Sequence, residues 1–272
     1  MDYVDLHSHL LPALDDGPAT FADSLALIEA ASGSGTRRMV ATPHMFHGAV
    51  GSSDPAEVAR RFADFEARLA AHREQLRDGP AGETASASLE GFEIALGAEN
   101  YVGEAFLEAV TAGEVLTLGG SRYLLIEFWP MVTAITARQA VDVVQERGYA
   151  PVLAHVERYG FLQNEPARLD DLVAAGCTAQ VNASAILGRQ GLRVAQLTDH
   201  WLRRGLIAVV ASDGHDTRAR RPQLGEVADH MRSRYGSATV EHCLQLNPTA
   251  ILADEATRRP DLRRSRWWRR KS

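Results

Sequence analysis

Short apolar runs alternate with longer stretches in which apolar residues recur every three or four positions, and the alternation repeats along most of the chain. The runs predict strands at 2–6, 38–41, 92–98, 121–127, 150–154, 177–182 and 206–211. Three of them, Tyr123-Leu124-Leu125-Ile126, Pro151-Val152-Leu153-Ala154 and Leu206 to Ala211, are almost continuously apolar, as parallel strands covered on both faces are. The longer period predicts helices over 21–31, 55–76, 103–112, 134–147, 166–175 and 192–204. Thr20, with Asp23 three positions on, reads as the N-cap of the first, which ends at Gly33-Ser34-Gly35. Asp54 followed by Pro55 opens the second. Residues 48–53 form a loop of small side chains, and 79–88, rich in Gly, Ala and Ser, read as a surface linker. About seven strand–helix units predict an α/β fold, a distorted (β/α)7 TIM-like barrel, with a doubly wound open sheet as the alternative.

Composition narrows this. The chain has 272 residues, of which 45% are hydrophobic, enough for one full core, and barrels of roughly 250 residues are single domains. Residues 1–257 are therefore expected to form one barrel and 258–272 a basic tail. The formal net charge is −6, but residues 258–272 contribute +7, which leaves −13 on residues 1–257. An acidic body of this kind excludes nucleic acid as the natural partner and is compatible with cation sites. No apolar run reaches the roughly 20 residues that span a bilayer, and the N-terminal residues lack the basic and apolar regions of a secretion signal. Cys177 and Cys243 are far apart and suggest neither a disulfide framework nor a metal pair, so a reducing, cytoplasmic setting is expected.

The chemistry lies where the strands stop. The first is followed by His7 and His9, two residues apart and so pointing the same way, with Asp16 shortly after. His44 follows the second strand, Glu99 the 92–98 strand, Glu127 the 121–126 run and His155 the 150–154 strand. Asp213 and His215, again two apart, follow the last. These are the C-terminal ends of the strands, where active sites of barrels sit. One such residue would be a helix cap or a solvated loop, but six strand ends together form a pattern. Five histidines and four carboxylates exceed one tetrahedral zinc and suit two or three divalent ions with bridging carboxylates, with manganese or iron favoured by the oxygen-rich set. That arrangement points to metal-assisted hydrolysis of a phosphate ester.

Of the other histidines, His72, His200 and His230 read as helix-face residues, His242 as helix-face or core, and His47 as within reach of the pocket. Arg158 lies one short loop beyond His155, and Arg218, Arg220 and Arg221 follow His215. A guanidinium fork matches a phosphoryl group without competing for metal. A cysteine phosphatase is excluded, because the position six after Cys243 is Thr249 and six after Cys177 is Ala183, where an arginine would be needed.

The segments DLHSHLLPALDDGP, ATPH, GAEN, LLIEF, PVLAHVERY, QVNAS and ASDGHD, in that order from residue 5 to about 222, resemble the PHP (polymerase and histidinol phosphatase) superfamily. Within it they are similar to the bacterial protein-tyrosine phosphatases of capsule and exopolysaccharide systems. The resemblance implies three divalent ions, with manganese the usual activator and iron or zinc as alternatives. It assigns His7, His9, Glu99 and Asp213 to one ion, Glu99, Glu127 and His155 to a second, and Asp16, His44 and His215 to a third. Arg158 and Arg220 match the family's phosphate-binding arginines, with Arg221 adjacent to the second. The implied reaction is hydrolysis of phosphotyrosine by direct attack of a metal-bridging hydroxide, and the implied partner a bacterial tyrosine kinase. A small-molecule PHP phosphoesterase such as a histidinol phosphatase is the alternative. Asp216 is the candidate general acid. Met45-Phe46-His47-Gly48, Gly214, Asp216 and Asn100-Tyr101 depart from the usual pattern, and none of these departures removes a ligand.

The tail, with Trp267 and Trp268 among eight basic residues of 258–272, suits an anionic membrane surface. A chain lacking 258–272 is expected to lose binding to anionic liposomes and to keep its hydrolytic activity. Unchanged liposome binding on sedimentation removes the membrane role.

Overall fold

The structure is a computed structural model that describes residues 2–78 and 89–258; the 79–88 linker and residues 259–272 of the tail lie outside the described residues. Nine strands run parallel in two sheets among the described residues. The first sheet has β1 (Tyr3–Ser8), β2 (Thr36–Ala41) and β4 (Glu93–Leu96) in the order β1-β2-β4. The second orders β3 (His44–Met45), β5 (Glu99–Tyr101), β6 (Tyr123–Glu127), β7 (Ala150–Leu153), β8 (Thr178–Asn182) and β9 (Ile207–Ala211). Sequence patterning predicts seven strands, and the two extra ones have one cause. Pro43 has no N–H to donate and interrupts the ladder between β2 and β3. Its carbonyl still accepts from Glu99 N at 3.0 Å and Ala41 O accepts from Gly97 N at 2.9 Å, so the partner chain is divided into β4 and β5. Glu99 therefore opens a short strand instead of following one, and His7 lies inside β1.

The sheets also meet along β1. Asp213 N donates to His7 O at 3.0 Å, His9 N to Gly214 O at 2.9 Å, and Ser212 N to the buried carboxylate of Asp5 at 3.0 Å. The segment after β9 is thus tied to the end of β1.

Helices Phe21–Gly33, Pro55–Asp78, Glu104–Ala112, Ala134–Glu146, Arg168–Ala174 and Leu192–Arg203 follow the predicted positions closely. Thr20 and Asp23 form a reciprocal capping box at the first. Further helical segments follow Pro222, beginning with Leu224–Tyr235. Both faces of the sheets are covered, as the apolar runs require. Val4, Leu6, Val40, Leu125, Val152 and Val209, from five strands of both sheets, share one core cluster. Leu124, Ile126, Leu153, Val181 and Val210 belong to a second, with helix residues Phe106, Val141 and Trp201. In β1 the period-two alternation sets Asp5 and His7 opposite Val4 and Leu6. Cys177 and Cys243 are free and buried, and burial pushes both thiols up to about 12. Cys243 packs as a helix residue, with its thiol toward Ile207 O.

Trp201 is fully buried and its indole N–H donates to Pro166 O at 3.0 Å. Trp201→Ala removes the largest fully buried side chain among the described residues, together with its hydrogen bond to Pro166 O, and leaves a cavity, which is expected to cost about 3–5 kcal/mol of folding stability. Urea unfolding checks this by a lowered midpoint, and an unchanged midpoint refutes it.

Candidate metal centre

The structure brings all nine predicted donors together. His7 Nε2 lies 3.3 Å from Glu99 Oε1 and 3.5 Å from Asp213 Oδ1. His9 Nε2 lies 3.3 Å from Glu99 Oε2 and 3.5 Å from Asp213 Oδ1. His155 Nε2 is 2.7 Å from Glu99 Oε1 and 3.5 Å from Glu127 Oε1. His44 bridges two groups: its Nδ1 faces Glu99 Oε2 at 3.0 Å and its Nε2 faces Asp16 Oδ1 at 3.5 Å. His215 Nε2 is 3.1 Å from the same Asp16 oxygen. Among the described residues four ligand-like groups result, His7/His9/Asp213, His7/Glu99/His155, His44/Glu99/Glu127 and His9/Asp16/His44/His215. Compared with the predicted sets, His9 also joins Asp16, His44 and His215, and His44 also faces Glu127.

Most donors sit in a strand or just beyond its end, and Asp16 comes from the loop after β1. The parallel register sets His44 beside Glu99, and Tyr101 beside Glu127. His155 and Asp213 have positive φ, 31° and 54°. Such a conformation costs a non-glycine residue energy and is held only where surroundings enforce it. At His155 the backbone N–H donates to Gln180 Oε1 at 2.7 Å, and at Asp213 the N–H is fixed on β1.

The chemistry of the donors fits cations. His7 Nε2, His9 Nε2, His44 Nδ1, His215 Nε2, Glu99 Oε2 and Glu127 Oε2 are buried and make no hydrogen bond. Orphaned polar atoms are costly, and so many facing one another fit divalent ions. Against the pull of burial, the imidazoles of His7 and His155 hold the Glu99 carboxyl well below the usual range. Burial, with Glu99 beside it, pushes Glu127 up to about 7. Burial and the Arg158 guanidinium push His155 down to about 4, leaving the imidazole neutral as a metal ligand must be.

Both predicted arginines reach the cluster. Arg158 Nη2 bonds Asp213 Oδ2 at 2.8 Å; Arg220 Nη2 bonds Asp213 Oδ1 at 2.8 Å and its Nη1 bonds Asp16 Oδ2 at 3.2 Å. Of the adjacent pair it is Arg220 that touches the donors. His47 meets Tyr101 edge to face, 4.7 Å between ring centroids, and belongs to none of the ligand groups. Asp216 is not placed to be an acid. Although burial opposes it, backbone N–H groups of Arg218, Ala219 and Arg220 hold its carboxyl below the usual range, so it stays ionised and shapes the loop.

Sequence reasoning missed the residues behind the donors. Asp15 accepts from His9 Nδ1 at 2.7 Å, Gly17 N at 2.9 Å and His44 N at 3.1 Å. Gln180 faces His7 Nδ1 at 3.3 Å through the same oxygen that holds His155 N, and its amide donates to Asn182 Oδ1 at 2.8 Å. Asn182 in turn donates to Asp213 Oδ2 at 2.8 Å. The buried carboxylate of Glu157 accepts from Asn182 N at 3.1 Å. The signal was present: Gln180 and Asn182 share one face of a strand that is otherwise apolar or small.

A family model for capsular polysaccharide synthesis proteins, CpsB/CapC, matches residues 3–253. The chain belongs to the CpsB/CapC family. The tyrosine-protein phosphatase CpsB of Streptococcus pneumoniae is 30% identical over 257 residues, covering 93% of this chain and 99% of that protein. The tyrosine-protein phosphatase YwqE of Bacillus subtilis is 30% identical over 234 residues, covering 86% of this chain and 85% of that one. A crystal structure from work on YwqE and CpsB, described as metal-dependent tyrosine phosphatases, superposes with a TM-score of 0.82 at 27% identity over 94% of this chain and 96% of that one. A phosphotriesterase homology protein from Escherichia coli shares the fold at a TM-score of 0.55 and 12% identity.

Asp15 orients two of this CpsB/CapC chain's donors at once, and its side chain is buried. Asp15→Ala is expected to weaken metal binding by about ten- to a hundredfold, the usual effect of removing an orienting partner. Calorimetric titration with Mn2+ measures it, with circular dichroism confirming the fold. Undiminished affinity refutes the orienting role.

Proposed function

We propose that this protein is a metal-dependent protein-tyrosine phosphatase of a capsule or exopolysaccharide system. The observation that carries this is the convergence of nine donors, all but Asp16 buried or half-buried, and two arginines in a CpsB/CapC chain whose relatives are tyrosine phosphatases. In this reading the two parallel sheets make a distorted (β/α)7 barrel. Three divalent ions, manganese first with iron or zinc as alternatives, are held by His7, His9, Glu99 and Asp213, by Glu99, Glu127 and His155, and by Asp16, His44 and His215. The partner is a phosphotyrosine protein, a tyrosine kinase of the same system, met in the cytoplasm. Among the described residues no helix is long and apolar enough to cross a membrane.

When bound, divalent ions supply Lewis acidity and bring the pKa of water near neutrality. The protein supplies the rest. Arg158 and Arg220, now resting on Asp213, turn their forks to the phosphoryl oxygens and spread the charge that builds there. The ionised Glu99 and Asp213 and the neutral His155 keep the donors in their ligand forms. Phenolate, with a pKa of about 10, leaves more readily than an alkoxide, so a strong acid is not required and Asp216 is free for its loop role.

Hydrolysis of a phosphotyrosyl peptide and of histidinol phosphate, side by side with Mn2+, tests the substrate class. The peptide is expected to turn over faster, and the reverse order overturns the choice. A chelator is expected to abolish the activity and Mn2+ to restore it. Arg158→Lys, which keeps the charge but loses the fork, is expected to lower kcat/KM by about a hundredfold; an unaffected variant removes Arg158 from the phosphoryl site.

A further inference from the structure

A chamber of about 280 Å3 opens beside the donor cluster and shares Arg158, Asp213 and Arg220 with it. Its volume is near the lower end of small-ligand pockets, about 300 Å3, which is more room than a phosphoryl group alone needs. Two further arginines, Arg189 and Arg221, line it, together with the neutral donors Ser184, Gln190 and Gln223. Among the described residues the one carboxylate on that wall is Asp213, which is buried and already bonded by Arg158 and Arg220 at 2.8 Å each. The lining therefore carries more positive charge than it neutralises.

The two outer arginines are poised differently from the inner pair. Arg221 is exposed and makes no ion pair among the described residues. Its loop is fixed: His215 N donates to Arg220 O at 2.9 Å, Gln223 N donates to Arg221 O at 2.9 Å, and Asp216 gathers the N–H groups between. Arg189 pairs with Glu226 at 2.6 Å where solvent reaches both side chains, 36% and 50% exposed, and an ion pair open to solvent is worth little and is readily exchanged. Gln190 is held on Ser184 Oγ at 2.9 Å, which keeps this part of the wall in place.

Resting on the phosphatase reading above, we propose that Arg189 and Arg221 form a second anion subsite, which binds an acidic group on a residue neighbouring the phosphotyrosine. Arg158 and Arg220 take the scissile phosphoryl group, and the outer pair takes a carboxylate or a second phosphoryl group, both of which suit a guanidinium fork. The enzyme then selects phosphotyrosine in acidic or multiply phosphorylated segments.

The test uses the full-length, Mn2+-loaded enzyme with p-nitrophenyl phosphate and three phosphotyrosyl peptides that differ in one neighbouring residue: Gln, Glu or phosphoserine. For the wild type, KM is expected to be lower for the Glu and phosphoserine peptides than for the Gln peptide, with the difference shrinking in high salt. The larger gain identifies which of the two anions the subsite prefers. In Arg189→Gln/Arg221→Gln, KM for the acidic peptides is expected to rise about five- to tenfold, the loss of one to two charge-assisted contacts. The Gln peptide and p-nitrophenyl phosphate are expected to change by less than about twofold. Arg218→Gln, outside the chamber, is the charge control and is expected to behave as the wild type. An equal loss on all four substrates, no loss on any, or an equal loss in the Arg218 control overturns the subsite while leaving the phosphatase reading intact. A wild-type enzyme inactive on every phosphotyrosyl substrate overturns the reading beneath it, and the subsite with it.

Discussion

Glu99 sets the constraint that the rest of the structure satisfies. Its carboxylate is 1% exposed, and an isolated charge taken so far from water costs several kcal/mol even after relaxation. Here four imidazoles face it: His7 and His155 on Oε1, His9 and His44 on Oε2. They come from β1 and its extension, from β3 and from the end of β7, so no single element can meet the requirement. The sheet register that sets His44 beside Glu99, and the bonds that tie the segment after β9 to β1, are the means by which distant segments of chain supply those groups. Fold and site are one electrostatic problem. A strand that slipped by one residue would turn its own donors away from the carboxylate.

Rigidity comes from the groups behind the donors. Gln180 spends one oxygen on both His7 and His155 and its amide on Asn182, which holds Asp213. Amides suit this place because they add hydrogen bonds without adding another charge to a site already crowded with carboxylates. The strained backbone at His155 and Asp213 follows from the same economy. A strand end re-aimed into a left-handed conformation points its side chain into the cluster, and the hydrogen bonds at the N–H of each residue hold it there.

Much of this was legible in the sequence, for a physical reason. Apolar runs that must be buried on both faces identify strands, and a histidine or carboxylate just after such a run has few bland explanations when it recurs. The nine donors and both arginines could be named because their side-chain chemistry is distinctive. Gln180 and Asn182 were not, since a polar residue on one strand face does not say what it bonds. Pro43 could be read as a break, but not that its interruption would divide the facing chain into β4 and β5. Asp216 is the candidate acid in the sequence; its three backbone N–H partners, which keep it ionised, depend on how the loop closes.

Charge is distributed unevenly over the molecule. Residues 1–257 carry a net −13, so the body as a whole repels the anionic groups that its chemistry would act on. Attraction must therefore be local and short-ranged, within a Debye length of about 8 Å in physiological salt. The arginines around Asp213 meet that condition: they lie where the donor cluster opens and are themselves only partly exposed, Arg158 and Arg220 each 35%. A low-dielectric wall concentrates their field on the opening. Guanidinium groups serve better here than ammonium groups would, because they bind bidentately and give up their hydration more easily. Many of the body's other arginines are paired with carboxylates at the surface, and Arg158 and Arg220 are the ones that stand beside the donors, where phosphate would be held.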